Sequence, residues 1–178
     1  MILTIDVGNT NVAFGLWKGA ALEDRRRLHT DPEQTSDEYL VLFQSLLDLS
    51  DHTLSDIRRV VVGSVVPTLT PTIGRVAERL THREPLIVTH TIRTGLDPDT
   101  PIPSELGSDL LANAVAAYHR TKEGAIVVDF GTALSFTAVS ASGVVLGVNI
   151  APGLRSAVRS LGKSTSQLPI VDLAPPPQ

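Results

Sequence analysis

The chain has no cysteine, which excludes disulfides, thiolate catalysis and cysteine-ligated zinc. No apolar run approaches the ~20 residues that a membrane-spanning helix needs. Positive charge is scarce as well: 15 Lys and Arg stand against 19 Asp and Glu, a formal net charge of −4. Without a basic field, non-specific attraction to nucleic acid is not expected. The one basic run, Arg25-Arg26-Arg27, follows Glu23 and Asp24 and reads as a solvated strand or turn. The N-terminus enters an apolar strand at once, with neither a basic leader nor a cleavage site, so a cytoplasmic protein is expected. His29, His52, His82, His90 and His119 show no metal-ligand spacing and read as surface or loop residues. What remains is an ordinary globular composition, 42% hydrophobic and 19% charged over 178 residues, long enough to bury a substantial core.

The pattern of the chain is that of an α/β protein. Residues 2–7, 12–17 and 21–28 read as three successive strands, joined by Gly8-Asn9-Thr10-Asn11 and by Lys18-Gly19, which makes a β-meander. Thr35-x-x-Glu38 is a capping box ahead of Tyr39, Leu42, Phe43, Leu46 and Leu49 at helical spacing. Residues 59–66 are β-branched and nearly all apolar, as expected of a central parallel strand covered on both faces. Pro67 and Pro71 open a helix running to about His82, and residues 85–89 form a short strand. Residues 89–106 read as a long loop, functional by its length. A helix over 108–121 follows, then strands over 124–129, 133–140 and 144–150 with a Ser142-Gly143 hairpin turn. A helix opened by Pro152-Gly153, the segment Leu168 to Leu173 and a Pro-Pro-Pro-Gln tail complete the chain. The βββα opening thus occurs twice, which is the mark of an internal duplication. The first lobe is expected over residues 1–122 and the second over 123–178. The second stops after its meander and one helix, so edge strands and an apolar helix face are expected to lie uncovered.

Two turns carry the chemistry. In Ile5-Asp6-Val7-Gly8-Asn9-Thr10-Asn11 a strand runs through Asp6 into a glycine turn whose backbone can approach a phosphate closely. Its N–H groups, the Thr10 hydroxyl and the amides of Asn9 and Asn11 can cradle anionic oxygens. Asp6 suits Mg²⁺ held through water; a plain hairpin turn capped by Asp6 is the alternative. Asp129-Phe130-Gly131-Thr132 echoes the motif. A third carboxylate, Asp109, lies in Gly107-Ser108-Asp109-Leu110, where the long loop meets a helix. It reads either as a helix cap or as a general base that deprotonates a hydroxyl attacking a γ-phosphoryl group. Trp17 reads as packing rather than as a cofactor platform.

These motifs, together with Ala151-Pro152-Gly153, resemble those of type III pantothenate kinases in order and spacing along nearly the whole chain. The resemblance implies two duplicated lobes of the actin-like, ribonuclease H-like fold, the second incomplete here. It also implies ATP-dependent phosphorylation of pantothenate to 4′-phosphopantothenate, the first step of coenzyme A biosynthesis. By the same resemblance the ATP phosphates lie on Asp6, Val7, Gly8, Asn9, Thr10, Asn11, Val12 and Ala13, and Thr132 touches ATP. Asp109 is the proton acceptor, with Mg²⁺ at Asp6 and a monovalent cation, K⁺ or NH4⁺, at Asp129. Pantothenate lies against Gly107, Ser108, Asp109 and Leu110, with Thr100 at a further substrate-lining position, and the protein is a homodimer when its second lobe is whole. Leu110 stands where the family usually has an arginine, Thr100 where a tyrosine is common, and Leu134-Ser135-Phe136-Thr137 where Thr-Thr-Phe-Asp is usual. These departures keep two alternatives open: a non-catalytic regulatory protein on the same fold, and a kinase for another small hydroxylated substrate.

Overall fold

The computed structural model describes residues 1–97, 106–164 and 173. Their contacts divide the chain into two units, Met1–Ile92 with Ile102–Leu111 and Arg93–Pro101 with Ala112–Gln178. The expected segment Leu168 to Leu173, the tail and Thr100 fall outside the described residues, Leu173 itself excepted.

The first unit opens with β1 (Ile2–Val7), β2 (Asn11–Lys18) and β3 (Ala21–His29), continues with α1 (Ser36–Asp48), β4 (Arg59–Ser64), α2 (Thr70–Thr81) and β5 (Leu86–Ile87), and takes in the start of α3 (Ser108–Thr121). Its sheet has the order β3-β2-β1-β4-β5. β1 pairs antiparallel with β2 and parallel with β4, so the sheet is mixed. Alternation along the strands decides which face is covered. Leu3, Ile5 and Val7 of β1, Phe14 and Leu16 of β2, and Val60 and Val62 of β4 point into one core with Tyr39, Phe43 and Leu47 of α1 and Ile73, Val76 and Ala77 of α2. The Phe14 and Phe43 rings meet edge-on at 4.2 Å between centroids, and full burial of each such ring contributes about 1.5–3 kcal/mol.

Helix α1 begins where its capping box directs. The Thr35 hydroxyl accepts from the Glu38 amide at 3.3 Å, and the Glu38 carboxylate accepts from the Thr35 amide at 2.8 Å. Those two bonds satisfy donors that a helix start otherwise leaves open. Leu47, not Leu49, completes the buried stripe; Leu49 is the C-cap and is exposed. Two expectations need correcting. Helix α2 starts at Thr70 with Pro71 in its first turn, while Pro67 stands before it, where Leu69 and Thr70 donate to the Val66 carbonyl. On β4, Val60 and Val62 are buried but Val61 is only half-buried, because α1 and α2 contribute to the core on one face of the sheet alone.

The second unit comprises most of α3, then β6 (Ala125–Phe130), β7 (Ala133–Val139), β8 (Val145–Pro152) and α4 (Leu154–Ser164). The three strands form an antiparallel meander in the order β6-β7-β8, so the βββα opening is repeated as the pattern requires. Gly143, at φ +87°, closes the β7–β8 hairpin, its amide donating to the Ser140 carbonyl; this is backbone that glycine adopts without strain. Ile126, Val128 and Phe130 of β6 and Leu154 and Leu161 of α4 are exposed. Among the described residues no helix is long and apolar enough to cross a membrane.

Candidate active site

In the first unit the site is built around the end of β1. Strand alternation turns Asp6 to the face opposite the core, where it is exposed, and pairs it with Ala13 on one side and Gly63 on the other. Val7 and Val12, which flank the turn, are fully buried, so they can offer a ligand only their backbone. Between them the chain reverses through Gly8, whose amide donates to the Asn11 carbonyl at 3.0 Å. The turn is braced from the far end of β3: the Thr30 hydroxyl donates to the Gly8 carbonyl at 2.7 Å, and the Thr30 amide to the Thr10 carbonyl at 3.0 Å. Trp17, half-buried, donates its indole N–H to the Thr4 hydroxyl at 3.0 Å, a packing role.

The start of α3 meets the same edge of the sheet. A methyl group placed on Gly63 would stand 3.3 Å from the Ser108 hydroxyl oxygen, and one on Gly107 would stand 3.2 Å from Val65 Cγ1 and 2.5 Å from Asp109 Oδ1. Small residues at 63 and 107 therefore let this segment lie directly on the end of β4, the strand beside Asp6. Gly107 is the residue from which the helix departs, its carbonyl accepting from Leu111 at 3.0 Å. Neither Ser108 nor Asp109 occupies that cap position. The Asp109 carboxylate instead accepts from the adjacent Leu110 amide at 2.8 Å, one of the donors that a helix start leaves open. Ser108 is buried, and its hydroxyl has no hydrogen-bond partner among the described residues. Leu110 is buried too, with 7% of its surface exposed.

The second unit carries the echo. Asp129 is exposed on β6, opposite Ser135 in the ladder, and its Oδ2 accepts from Asn113 Nδ2 at 3.3 Å. The turn that follows is closed by Gly131 N–H donating to the Ala133 carbonyl at 2.9 Å. Its Thr132 carbonyl accepts from the Gly153 amide at 3.1 Å and from the Ser156 hydroxyl at 2.9 Å. The N-terminal turn of α4 thus braces this turn. The geometry seats Gly107 and Ser108 on Val65 and Gly63, beside Asp6, and places Asp129 on the strand that runs into the Thr132 turn. Among the described residues no three His, Asp or Glu side chains cluster to hold a metal ion.

Four residues of these surroundings were not singled out in the sequence: Thr30, Gly63, Asn113 and Ser156. Asn113 had a signal, since it follows Asp109 by one helical turn and so shares its face. The others become visible only once strands and turns are paired.

A sequence model of type III pantothenate kinase matches residues 2–178. The chain belongs to the type III pantothenate kinase family. A type III pantothenate kinase from Myxococcus xanthus is 40% identical over 177 residues, which cover 99% of this chain and 69% of that protein. One from Citrifermentans bemidjiense is 38% identical, with 99% and 70% covered. The chain therefore spans about 70% of the length of these kinases. A solved structure from Campylobacter jejuni, described as a member of the Baf family of transcriptional activators, superposes with a TM-score of 0.53 at 19% identity, over 99% of this chain and 68% of that one. At that identity the likeness shows the fold alone, a mixed α/β one.

Proposed function

We propose that the protein transfers the γ-phosphoryl group of ATP to the primary hydroxyl of pantothenate, giving 4′-phosphopantothenate and ADP. The observation that carries this reading is the seating of Gly107, Ser108 and Asp109 against Gly63 and Val65, at the end of the strand beside Asp6. This seating supports a carboxylate on a helix start acting beside the strand that leads into a glycine turn suited to phosphate. In this reading Asp109 accepts the hydroxyl proton, the hydroxyl oxygen bonds to the γ-phosphorus, and the bond from that phosphorus to the bridging oxygen breaks to release ADP. Catalysis of this kind rests on positioning and on neutralising charge.

The amides of residues 8–11 would hold the phosphates, with Thr132 a further contact to ATP. Asp6 fits Mg²⁺ bound largely through water, because a single exposed carboxylate leaves most of the ion's hydration intact; the ion supplies charge neutralisation at the phosphates. Asp129, held by Asn113, would take K⁺ or NH4⁺. The buried Ser108 hydroxyl, without a hydrogen-bond partner among the described residues, would offer pantothenate a hydrogen bond, with Gly107 and Leu110 beside it; the assignment of Thr100 to the substrate rests on the family resemblance alone. Division into lobes at 1–122 and 123–178, a cytoplasmic location and a homodimer with the second lobe whole belong to the same reading.

The test is ADP release with pantothenate, Mg²⁺ and K⁺. Asp109→Asn is expected to lower kcat by about 10²–10⁴-fold, the usual contribution of a positioned base, with ATP affinity retained. An unchanged rate, or a wild-type chain that binds ATP and never phosphorylates pantothenate, overturns the proposal.

A further inference from the structure

We infer that Thr30 is a positioning residue for the phosphate turn: through the Gly8 carbonyl it aims the amide of Asn9. The inference rests on the reading above that this turn holds the ATP phosphates. Thr30 follows directly on β3 and is 5% exposed. It makes two bonds to the turn, its hydroxyl donating to the Gly8 carbonyl at 2.7 Å and its amide to the Thr10 carbonyl at 3.0 Å.

Each bond fixes more than a carbonyl. A peptide unit is planar and trans, so its C=O and the following N–H point in opposite directions. The Gly8 carbonyl shares its unit with the Asn9 amide, and the Thr10 carbonyl shares its unit with the Asn11 amide. With the Gly8 carbonyl drawn toward Thr30, the Asn9 amide points the opposite way, at an exposed residue; the Asn11 amide faces β1, on the side where the Asn11 carbonyl accepts from Gly8. A backbone donor aimed in this way from a glycine turn can meet an anionic oxygen. Thr30 has no need to touch a ligand for this. It acts through the turn, and its burial keeps water from competing for the two carbonyls.

The side-chain half of this brace can be removed alone. Thr30→Val keeps shape and β-branching but loses the bond to Gly8, whereas Thr30→Ser keeps the hydroxyl. Affinity for ATP is measured by titration calorimetry on the intact chain, and KM for ATP and for pantothenate by ADP release. Thr30→Val is expected to weaken ATP binding and raise its KM about tenfold, the scale of one hydrogen bond's reorientation. Pantothenate KM should hold, and Thr30→Ser should stay near wild type. The inference is overturned if Thr30→Val binds ATP as wild type does. It is equally overturned if the Val and Ser variants weaken both substrates alike, as a general structural role would have it. Should the wild-type chain itself not bind ATP, the nucleotide reading of the turn fails first, and this inference with it.

Discussion

The two units open with the same meander and the same Asp-apolar-Gly turn, yet each turn is held by a different neighbour. In the first, both turn carbonyls are taken by Thr30, which follows the third strand of the meander. In the second, the Thr132 carbonyl is taken by Gly153 and Ser156, at the start of the helix after the third strand. The sheets differ too. Strand β1 lies between β2 and β4 and buries Leu3, Ile5 and Val7 beneath two helices, whereas β6 pairs only with β7 among the described residues and exposes Ile126, Val128 and Phe130. A repeated pattern therefore reproduces backbone conformation more faithfully than environment. Turn chemistry and strand alternation are local, but cover has to come from other parts of the fold.

The largest expected effect contrasts the two sheets. Phe43→Ala, which empties a fully buried position against Phe14, should cost about 3–5 kcal/mol in denaturant unfolding. Phe130→Ser, at a side chain 73% exposed, should stay within about 0.5 kcal/mol. Equal losses would erase the distinction between the sheets. Next come the turns. A Cβ on Gly153 would stand 2.6 Å from the Thr132 carbonyl oxygen, against backbone that cannot swing aside, and Gly153→Ala should cost about 1–3 kcal/mol. Gly8→Ala meets the Asn11 carbonyl oxygen at 3.2 Å and should cost less; the reverse order would show that the first turn is the tighter of the two. The smallest effect concerns the capping box of α1. The Thr35 amide and hydroxyl hold the Glu38 carboxyl below its usual 4.5. A carboxyl depressed in the folded state adds stability above its unfolded pKa, and that stability is lost as pH falls through the folded value. Glu38→Gln should therefore flatten this part of the stability profile below about pH 4.5 and leave it parallel to wild type at neutral pH. A steeper acid limb in the variant would refute the assignment.

Much of the fold was legible in the residues. Apolar runs, helical spacing and turn residues marked each strand and α-helix of the described chain, because these are local properties that core burial then exploits; Pro152, read as opening the last helix, instead ends β8. The short 3₁₀ turn at Leu54–Asp56 had no such signal. The extent of β4's cover was misjudged for a related reason. A run of valines shows that a strand is apolar, but not how many helices lie on each of its faces.

The site divides in the same way. Asp6, Gly8, Asp109, Asp129 and Thr132 were visible from sequence alone, since a carboxylate followed by a glycine turn, or placed at a helix start, announces its chemistry in consecutive residues. Family membership then follows from those motifs in their order. That Ser108 lies on Gly63, that Asn113 reaches Asp129, and that Thr30 and Ser156 each brace a turn were decided by tertiary structure. Thr30 is 22 residues from Gly8, and Ser156 is 24 from Thr132. Contacts at such separations exist only after strand register brings the partners together, and register belongs to the whole sheet rather than to any one of its segments.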